Sequence, residues 1–400
     1  MLVCKKIRLK LKKADISALN EMSRWARWHY NYILAERIDH YKEHKKTLNL
    51  YEHKKQLKEI RQNYPEINYV HKAILHNNYF RLNTSFQNFF RRLKTGEKPG
   101  FPRFKSRYRG WFSLNFNNYA GIDIEQQTIT VPTGGRGKTK QFQNITAKLQ
   151  EAIPESSGQI TITSDGKNFF AVFMVEIQEA QKIKNDKIIA MDLGVKTLVT
   201  AINNDNQLII TKAWGGRRYF QKTTDNLKSK RDKCNKGSNN WARNQKVVQK
   251  IIRKGINKRT DYLHKVAYYY TAKRVERTVV VGDLKVREMR SVSKRLNRAV
   301  QNDWVIADFS RMLEYKSKKF GKDFHKIDER GTSKTCSQCG YQQKMPLSVR
   351  TYNCPECRLI MDRDCNSAKN ILHRFIARSE PYESMSMRAI ARIKFYIFLY

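Results

Sequence analysis

The residues best suited to chemistry in this chain are thiols and carboxylates, and their spacing sorts them into separate jobs. Cys336 and Cys339 in CSQC, with Cys354 and Cys357 in CPEC, make two Cys-x-x-Cys pairs. Four thiolates so spaced can surround one tetrahedral Zn2+. The fourth leaves no position for a substrate water, so a structural metal is expected. Cys4, Cys234 and Cys365 stand alone and read as small core fillers. Seven cysteines with two such pairs point to a reducing compartment and a metal site rather than to disulfides.

The acids are spread more widely. Asp192 closes the apolar run IIAMD and is followed by Gly194 in a tight DLG turn. A carboxylate at the C-terminal end of a buried strand can hold a metal, but many strands end in Asp without doing so. Asp364, in MDRDCNSAKN, opens a helix whose same face carries Ser367, Ala368 and Ile371, residues small or apolar enough to press against a sheet. Asp362 lies two positions away and reads better as an N-terminal cap. The stretch TVVVGDLKV, 278–286, raises a question of its own. Its valines make a strand that runs into Gly282 and then Asp283. Either Asp283 is an acid delivered to a sheet's edge, or Gly282 marks a missing one.

These residues need elements to carry them. Val3, Ile7, Leu9 and Leu11 alternate as in a strand. From Asp15, read as an N-cap, Leu19, Met22, Ala26, His29 and Ile33 recur at helical spacing, widened by Trp25, Trp28 and Tyr32. Leu75, Tyr79, Leu82, Phe86, Phe89 and Leu93 repeat that rhythm, with charged helix between. Both stripes read as core, although a ring left exposed could stack on a base. GEKPGFPRFKSRYRGW, 96–111, breaks the period. Within it Lys98, Arg103, Phe104, Lys105 and Arg107 interleave basic and aromatic character. That suits phosphate contact with stacking, or else is a solvated loop.

SLNF, GIDI, TITV, QITIT and FFAVFMVEI are short strands, the last two joined by a turn at SDGKN, 164–168. They predict a small β-barrel or sandwich that the N-terminal strand joins. After a charged linker at 181–187 come three strands, a basic helical stretch over roughly 217–277, the 278–283 strand, a helix around 302–319 and the strand FHKIDE. The order β-β-β-α-β-α-β matches a ribonuclease H-like sheet.

With 79 basic against 36 acidic residues the 400-residue chain carries a net charge of +43, spread along its length. A polyanion is the economical partner, because each neutralised phosphate releases counterions. No run is long and apolar enough to span a membrane. The start, MLVCKKIRLKLKK, is too short and too charged for a secretory signal. The expected compartment is the cytoplasm.

DLG at 192–194, GTSKTCSQCG at 331–340, the second Cys-x-x-Cys and DRDCNSAKNIL at 362–372 together resemble the transposon-encoded TnpB family, compact relatives of type V CRISPR effector nucleases. PGFPRFKSR at 99–107, LHK at 263–265 and DLKV at 283–286 are similar too. The resemblance is dense over about 186–376 and sparse before it. It implies an RNA-guided DNA endonuclease with a RuvC-like domain, an inserted zinc ribbon, and an N-terminal barrel and helical domain. It also implies a guide RNA from the transposon end, a double-stranded DNA target and a short transposon-adjacent motif read by the N-terminal half.

One position departs from the family. Its usual pattern places a metal-binding Glu directly before Asp-Leu, where this chain has Gly282. Asp283 is a poor substitute, since one step along a strand reverses the side chain. Glu329, at the end of FHKIDE, is the candidate replacement: its strand would lie about 4.8 Å from the 278–283 strand. One branch of the family resembles this arrangement. On that reading Asp192, Glu329 and Asp364 hold catalytic Mg2+, two ions roughly 3.5–4 Å apart. A strand-end acid without function, or a nuclease-inactive guide-directed repressor, is the alternative, and a guide-independent ribonuclease H-like DNA nuclease is another.

The expected fold is therefore multidomain α+β: a ribonuclease H-like mixed sheet with an inserted zinc ribbon, plus an N-terminal β-barrel with a helical insertion. The expected divisions are 1–14 with 96–182 (barrel), 15–95 (helical), 183–330 with 359–380 (nuclease), 331–358 (ribbon) and 381–400 (tail).

Overall fold

The structure, a computed structural model, describes residues 2–106, 111–117, 120–135, 140–152, 159–283, 306–346, 348–379 and 394–398. The chain divides into two compact units, Met1–Ile177 and Gln178–Tyr400. Residues 178–182, grouped by sequence with the barrel, thus go with the second unit.

In the first unit the alternating start becomes strand β1 (Leu2–Lys10), which runs almost directly into helix α1 (Lys13–His44). The cap is Lys12 rather than Asp15. Asp15 sits a turn later and accepts a hydrogen bond from the Lys12 amide at 3.0 Å, so it satisfies the helix start from inside. The charged stretch breaks into α2 (Leu50–Lys55) and α3 (Leu57–Asn63), and the second aromatic stripe becomes α4 (Lys72–Lys94). Leu19, Met22, Ala26, His29 and Ile33 are buried, as are Leu75, Tyr79, Leu82 and Phe86. Leu93, at the end of α4, is exposed. The stripes are core, as expected, until α4 runs past its partners.

Seven strands follow in one curled antiparallel sheet. They are β1, β2 (Leu114–Asn115), β3 (Gly121–Asp123), β4 (Thr128–Val131), β5 (Ile145–Leu149), β6 (Ile160–Ser164) and β7 (Phe169–Glu176), ordered β2-β6-β7-β1-β5-β4-β3. β1 holds the two halves together by pairing β7 through residues 2–8 and β5 through Leu9 and Lys10. Among the described residues no ladder joins β2 to β3, so the sheet curls without the closure that a barrel requires. The SDGKN turn forms as expected, with Asp165 Oδ1 accepting from the amides of Lys167 and Asn168, and Gly166 at φ +87°.

The second unit is built on a six-stranded mixed sheet. It contains β8 (Ile188–Leu193), β9 (Thr197–Asn203), β10 (Gln207–Lys212), β11 (Thr278–Gly282), β12 (Asp323–Ile327) and β15 (Lys394–Phe398), ordered β12-β11-β8-β9-β10-β15. β11 is parallel to both β8 and β12. The basic stretch is not one helix but a pair, α5 (Arg217–Asp232) and α6 (Asn239–Tyr268), where Ser238 caps the Trp241 amide. The helix predicted near 302–319 is α7 (Ile306–Lys319), with 302–305 outside the described residues. Part of the expected tail, 394–398, is no separate appendage: β15 pairs with β10 in parallel.

Strand parity then sets the layers. Ile189, Met191, Val279 and Val281 pack with Leu263 and Val266 of α6 and Phe309 and Leu313 of α7. Ala190, Val280 and Ile327 pack instead with Ala368, Ile371 and Leu372 of α8 (Arg363–Ser379). Because side chains alternate along a strand, Asp192 and Gly282 fall on the α8 face with Ala190 and Val280. Asp283 takes the other parity.

Candidate functional site

The four paired cysteines converge. Their sulfur atoms all lie within 4.8 Å of one another, with Cys336 to Cys357 at 3.6 Å and Cys339 to Cys354 at 3.5 Å. Tetrahedral thiolates at 2.3 Å from zinc would stand about 3.8 Å apart, so the cluster fits such an ion. The turns around it are those of two knuckles. Gly340 (φ +80°) donates its amide to Cys336 O, and Arg358 (φ +59°) donates its own to Cys354 O. Strands β13 (Thr351–Asn353) and β14 (Ile360–Asp362) pair beside them. Of the lone cysteines Cys365 is buried, but Cys4 is exposed and Cys234 half-buried, so neither is the core filler expected. Cys4 lies at an outward-facing position of β1.

Asp192, Glu329 and Asp364 come from three different elements. Asp192 is near the end of β8 and pairs in register with Thr200. Glu329 is two residues past the end of β12, which stops at Ile327, so it stands on a loop and not on the strand assigned to it by sequence. Its side chain nevertheless lies over Gly282. A Cβ built on that glycine would overlap Glu329 Oε2 and sit 3.2 Å from both its Cβ and its Cδ. Asp364 opens α8, capped as expected by Asp362, whose Oδ1 accepts from the Asp364 and Cys365 amides at 2.8 and 3.2 Å. Asp283 is exposed, and its amide donates to Ile327 O.

Electrostatics links these acids. Burial pushes the Asp192 carboxyl well above the usual range, helped by Glu329 and Asp364 and opposed by Arg363 and a hydrogen bond with Ser367. Glu329 is pushed up to about 7, first by burial and then by Asp283 and Asp328. Glu329 Oε2 is buried and finds no hydrogen-bond partner among the described residues. A buried carboxylate oxygen without a donor wants a cation. Linkage gives the same result. Between 4.5 and about 7 the folded, metal-free chain keeps a proton on Glu329 that the unfolded chain releases, so this group's contribution falls as pH rises through that window. Neighbouring guanidinium groups offset part of this negative charge. Arg363 Nε and Arg350 Nη1 lie 3.6 and 3.5 Å from Asp364, the latter pair partly exposed and worth at most about 1 kcal/mol.

The three carboxylates do not meet within 4.8 Å of one another, as ligands crowded onto a single ion would. The donors are hard oxygens, and one is buried without a partner. Hard oxygen donors are the kind that divalent magnesium takes.

Sequence reasoning named Ser367 only as a small residue on the helix face and passed over the polar side chains that tie the segment after β12 to α8: Asn366, Asn370 and Arg374. Their signal was a polar stripe at helical spacing on α8, beside the apolar one that was read. In the first unit Lys98, Arg103, Phe104 and Lys105 are all exposed, while Arg107 lies outside the described residues. The Lys105 peptide is pinned to α1, its amide donating to Asn31 Oδ1 at 2.7 Å and its carbonyl accepting from Asn31 Nδ2 at 3.0 Å. Phe101, by contrast, packs edge-on against Phe86 and Phe89.

Comparison with known proteins places this geometry. Residues 307–371 match the family described as "Cas12f1-like, TNB domain", 172–293 "Probable transposase" and 1–46 "Helix-turn-helix domain". The last region folds here as one strand and one long helix. A Streptomyces pristinaespiralis protein named "Putative RNA-guided DNA endonuclease" is 28% identical over 305 residues, 74% of this chain and 70% of its own. "TnpB-like protein L79" of Acanthamoeba polyphaga mimivirus is 31% identical over 156 residues, 38% of this chain and 28% of its own. The cryo-EM structure of a Cas12f1–sgRNA–target DNA complex superimposes with a TM-score of 0.58 at 18% identity, covering 89% of this chain and 82% of that one. Family matches along the chain, these relatives and the shared fold together support a TnpB-family protein.

Proposed function

We infer that this chain is an RNA-guided DNA endonuclease of a transposon and that it hydrolyses phosphodiester bonds at Asp192, Glu329 and Asp364. The observation that carries the reading is the seating of Glu329 over Gly282, on the sheet face that bears Asp192. It supplies an acid where the family's strand glutamate is absent. The sheet order and the α8 packing support a RuvC-like reading of the second unit, and the curled sheet supports a barrel-like reading of the first.

Asp192, Glu329 and Asp364 would be the residues that hold catalytic Mg2+. When bound, such ions stabilise charge on the attacking and leaving oxygens. The protein's share is to hold three carboxylates ready, two of them buried enough that protons compete until cations arrive. The four cysteines would hold structural Zn2+. Replacing Cys354 with Ser should remove zinc, measured as one ion per wild-type chain by atomic emission, and unpair β13 from β14. A variant that keeps its zinc would refute the assignment.

Partners follow from surface charge. On α6, Arg243, Lys246, Lys250, Lys254 and Lys258 are exposed at intervals of three or four residues, a basic stripe on one helix face. Such a stripe suits a sugar–phosphate backbone, with base pairing to the guide reading sequence. Lys98, Arg103, Phe104 and Lys105 would add phosphate contact and stacking in the first unit. The test is to sequence RNA co-purifying with the protein and assay it on a matched duplex. Cleavage that needs both RNA and a divalent cation is expected. Binding without nicking would favour the repressor, and cutting without RNA the guide-independent nuclease.

A further inference from the structure

A glutamate on a strand is positioned by the ladder, but Glu329 stands beyond β12 and has no ladder to hold it. Helix α8 does that work. Arg374 Nη1 donates to the carbonyls of Asp328 at 2.8 Å and Arg330 at 2.9 Å, gripping the backbone on either side of Glu329. The next contact is Thr332, whose amide and hydroxyl both donate to Glu329 O, at 3.1 and 2.8 Å. Thr332 is itself tied to α8. Its hydroxyl lies 2.8 Å from Ser367 Oγ, and its carbonyl accepts from Asn370 Nδ2 at 2.8 Å. Ser367, Asn370 and Arg374 follow one another at helical spacing, and Asp364 opens the same helix.

We propose that Arg374 is a positioning residue, replacing the missing β-ladder by clamping the Glu329 loop to the helix that carries Asp364. It touches neither the reacting atoms nor the cysteine cluster. Its two bonds end on the carbonyls that flank the acid. The proposal rests on the reading of Glu329 as a metal-binding acid, and Glu329→Ala tests that reading separately. If Glu329→Ala is inactive while Arg374→Gln behaves as wild type, only the present proposal falls.

The experiment uses the full chain with guide RNA and a matched target carrying a non-cleavable phosphorothioate linkage. Mn2+ binding is followed by electron paramagnetic resonance, and cleavage of the ordinary target is measured in parallel. Loss of a partner that orients a metal ligand typically lowers metal affinity or activity about 10–100-fold. Arg374→Gln is accordingly expected to raise the Mn2+ midpoint about tenfold and slow cleavage by a similar factor, with added metal recovering part of the rate. Target affinity and melting temperature should hold. Arg374→Lys, which keeps a donor near the carbonyls, should restore the midpoint to within about threefold. An unchanged Mn2+ midpoint overturns the proposal, whatever the rate. So does a loss of target binding and melting temperature together, which would mark Arg374 as a general support of the fold.

Discussion

Glu329→Ala is expected to abolish cutting of a matched target while guide and target binding stay at wild-type levels. The acid is half-buried over Gly282, and its Oε2 is buried with no hydrogen-bond partner among the described residues. On the proposed reading, its removal takes away a metal ligand and leaves the basic surfaces untouched. Stabilisation of transition-state charge by bound metal is worth several kcal/mol, so the rate should fall roughly a thousandfold or more. The measurements are a cleavage time course and a filter-binding isotherm on the same preparation. Undiminished cutting would sink the relocated acid, and with it the placement of the second metal.

The second large effect is expected at Gly282. Its backbone is ordinary strand, paired with Ile327, so alanine is allowed there conformationally. The obstacle is the occupant of the space: a new Cβ would collide with Glu329 Oε2 and crowd two further atoms at 3.2 Å. The end of a glutamate side chain is flexible, so the chain should fold and the carboxylate should swing away. Misplacing a reacting group by about 1 Å can cost 10²-fold, and a loss of that order is expected for Gly282→Ala. The double variant Gly282→Glu with Glu329→Ala puts the acid back on the strand and empties the space above it. It should cut within roughly tenfold of wild type, far above either single change. A double variant as inactive as Glu329→Ala would show that position 282 is not within reach of the metals.

Much of this was legible in the sequence because the relevant physics is local. Two Cys-x-x-Cys pairs encode a tetrahedral centre in their own spacing, and Asp362 two residues before Asp364 encodes a cap. The proximity of Glu329 to Gly282 could be anticipated because parallel neighbours in a sheet have a fixed spacing. What escaped depends on distant contacts. β12 ends at Ile327, two residues early, where Arg374 and Thr332 bond the carbonyls of the following loop, and no propensity records contacts so distant in sequence. The hairpin of α5 and α6 was hidden by one continuous basic helical texture. β15 was unreadable because its partner, β10, lies far back in the chain and the pairing is parallel. Asp15 misled because an acid serves equally well as a cap or as the third residue inside the helix.

The crowding between position 282 and Glu329 also constrains descent. For a lineage with glycine on the strand and its acid on the loop, the commoner arrangement lies two changes away, because a strand acid must displace the loop acid from the space they share, and losing the loop acid first leaves neither. Each single step is expected to slow cleavage, as for Gly282→Ala and Glu329→Ala. The two arrangements should therefore persist as separate clades, with few intermediates surviving between them.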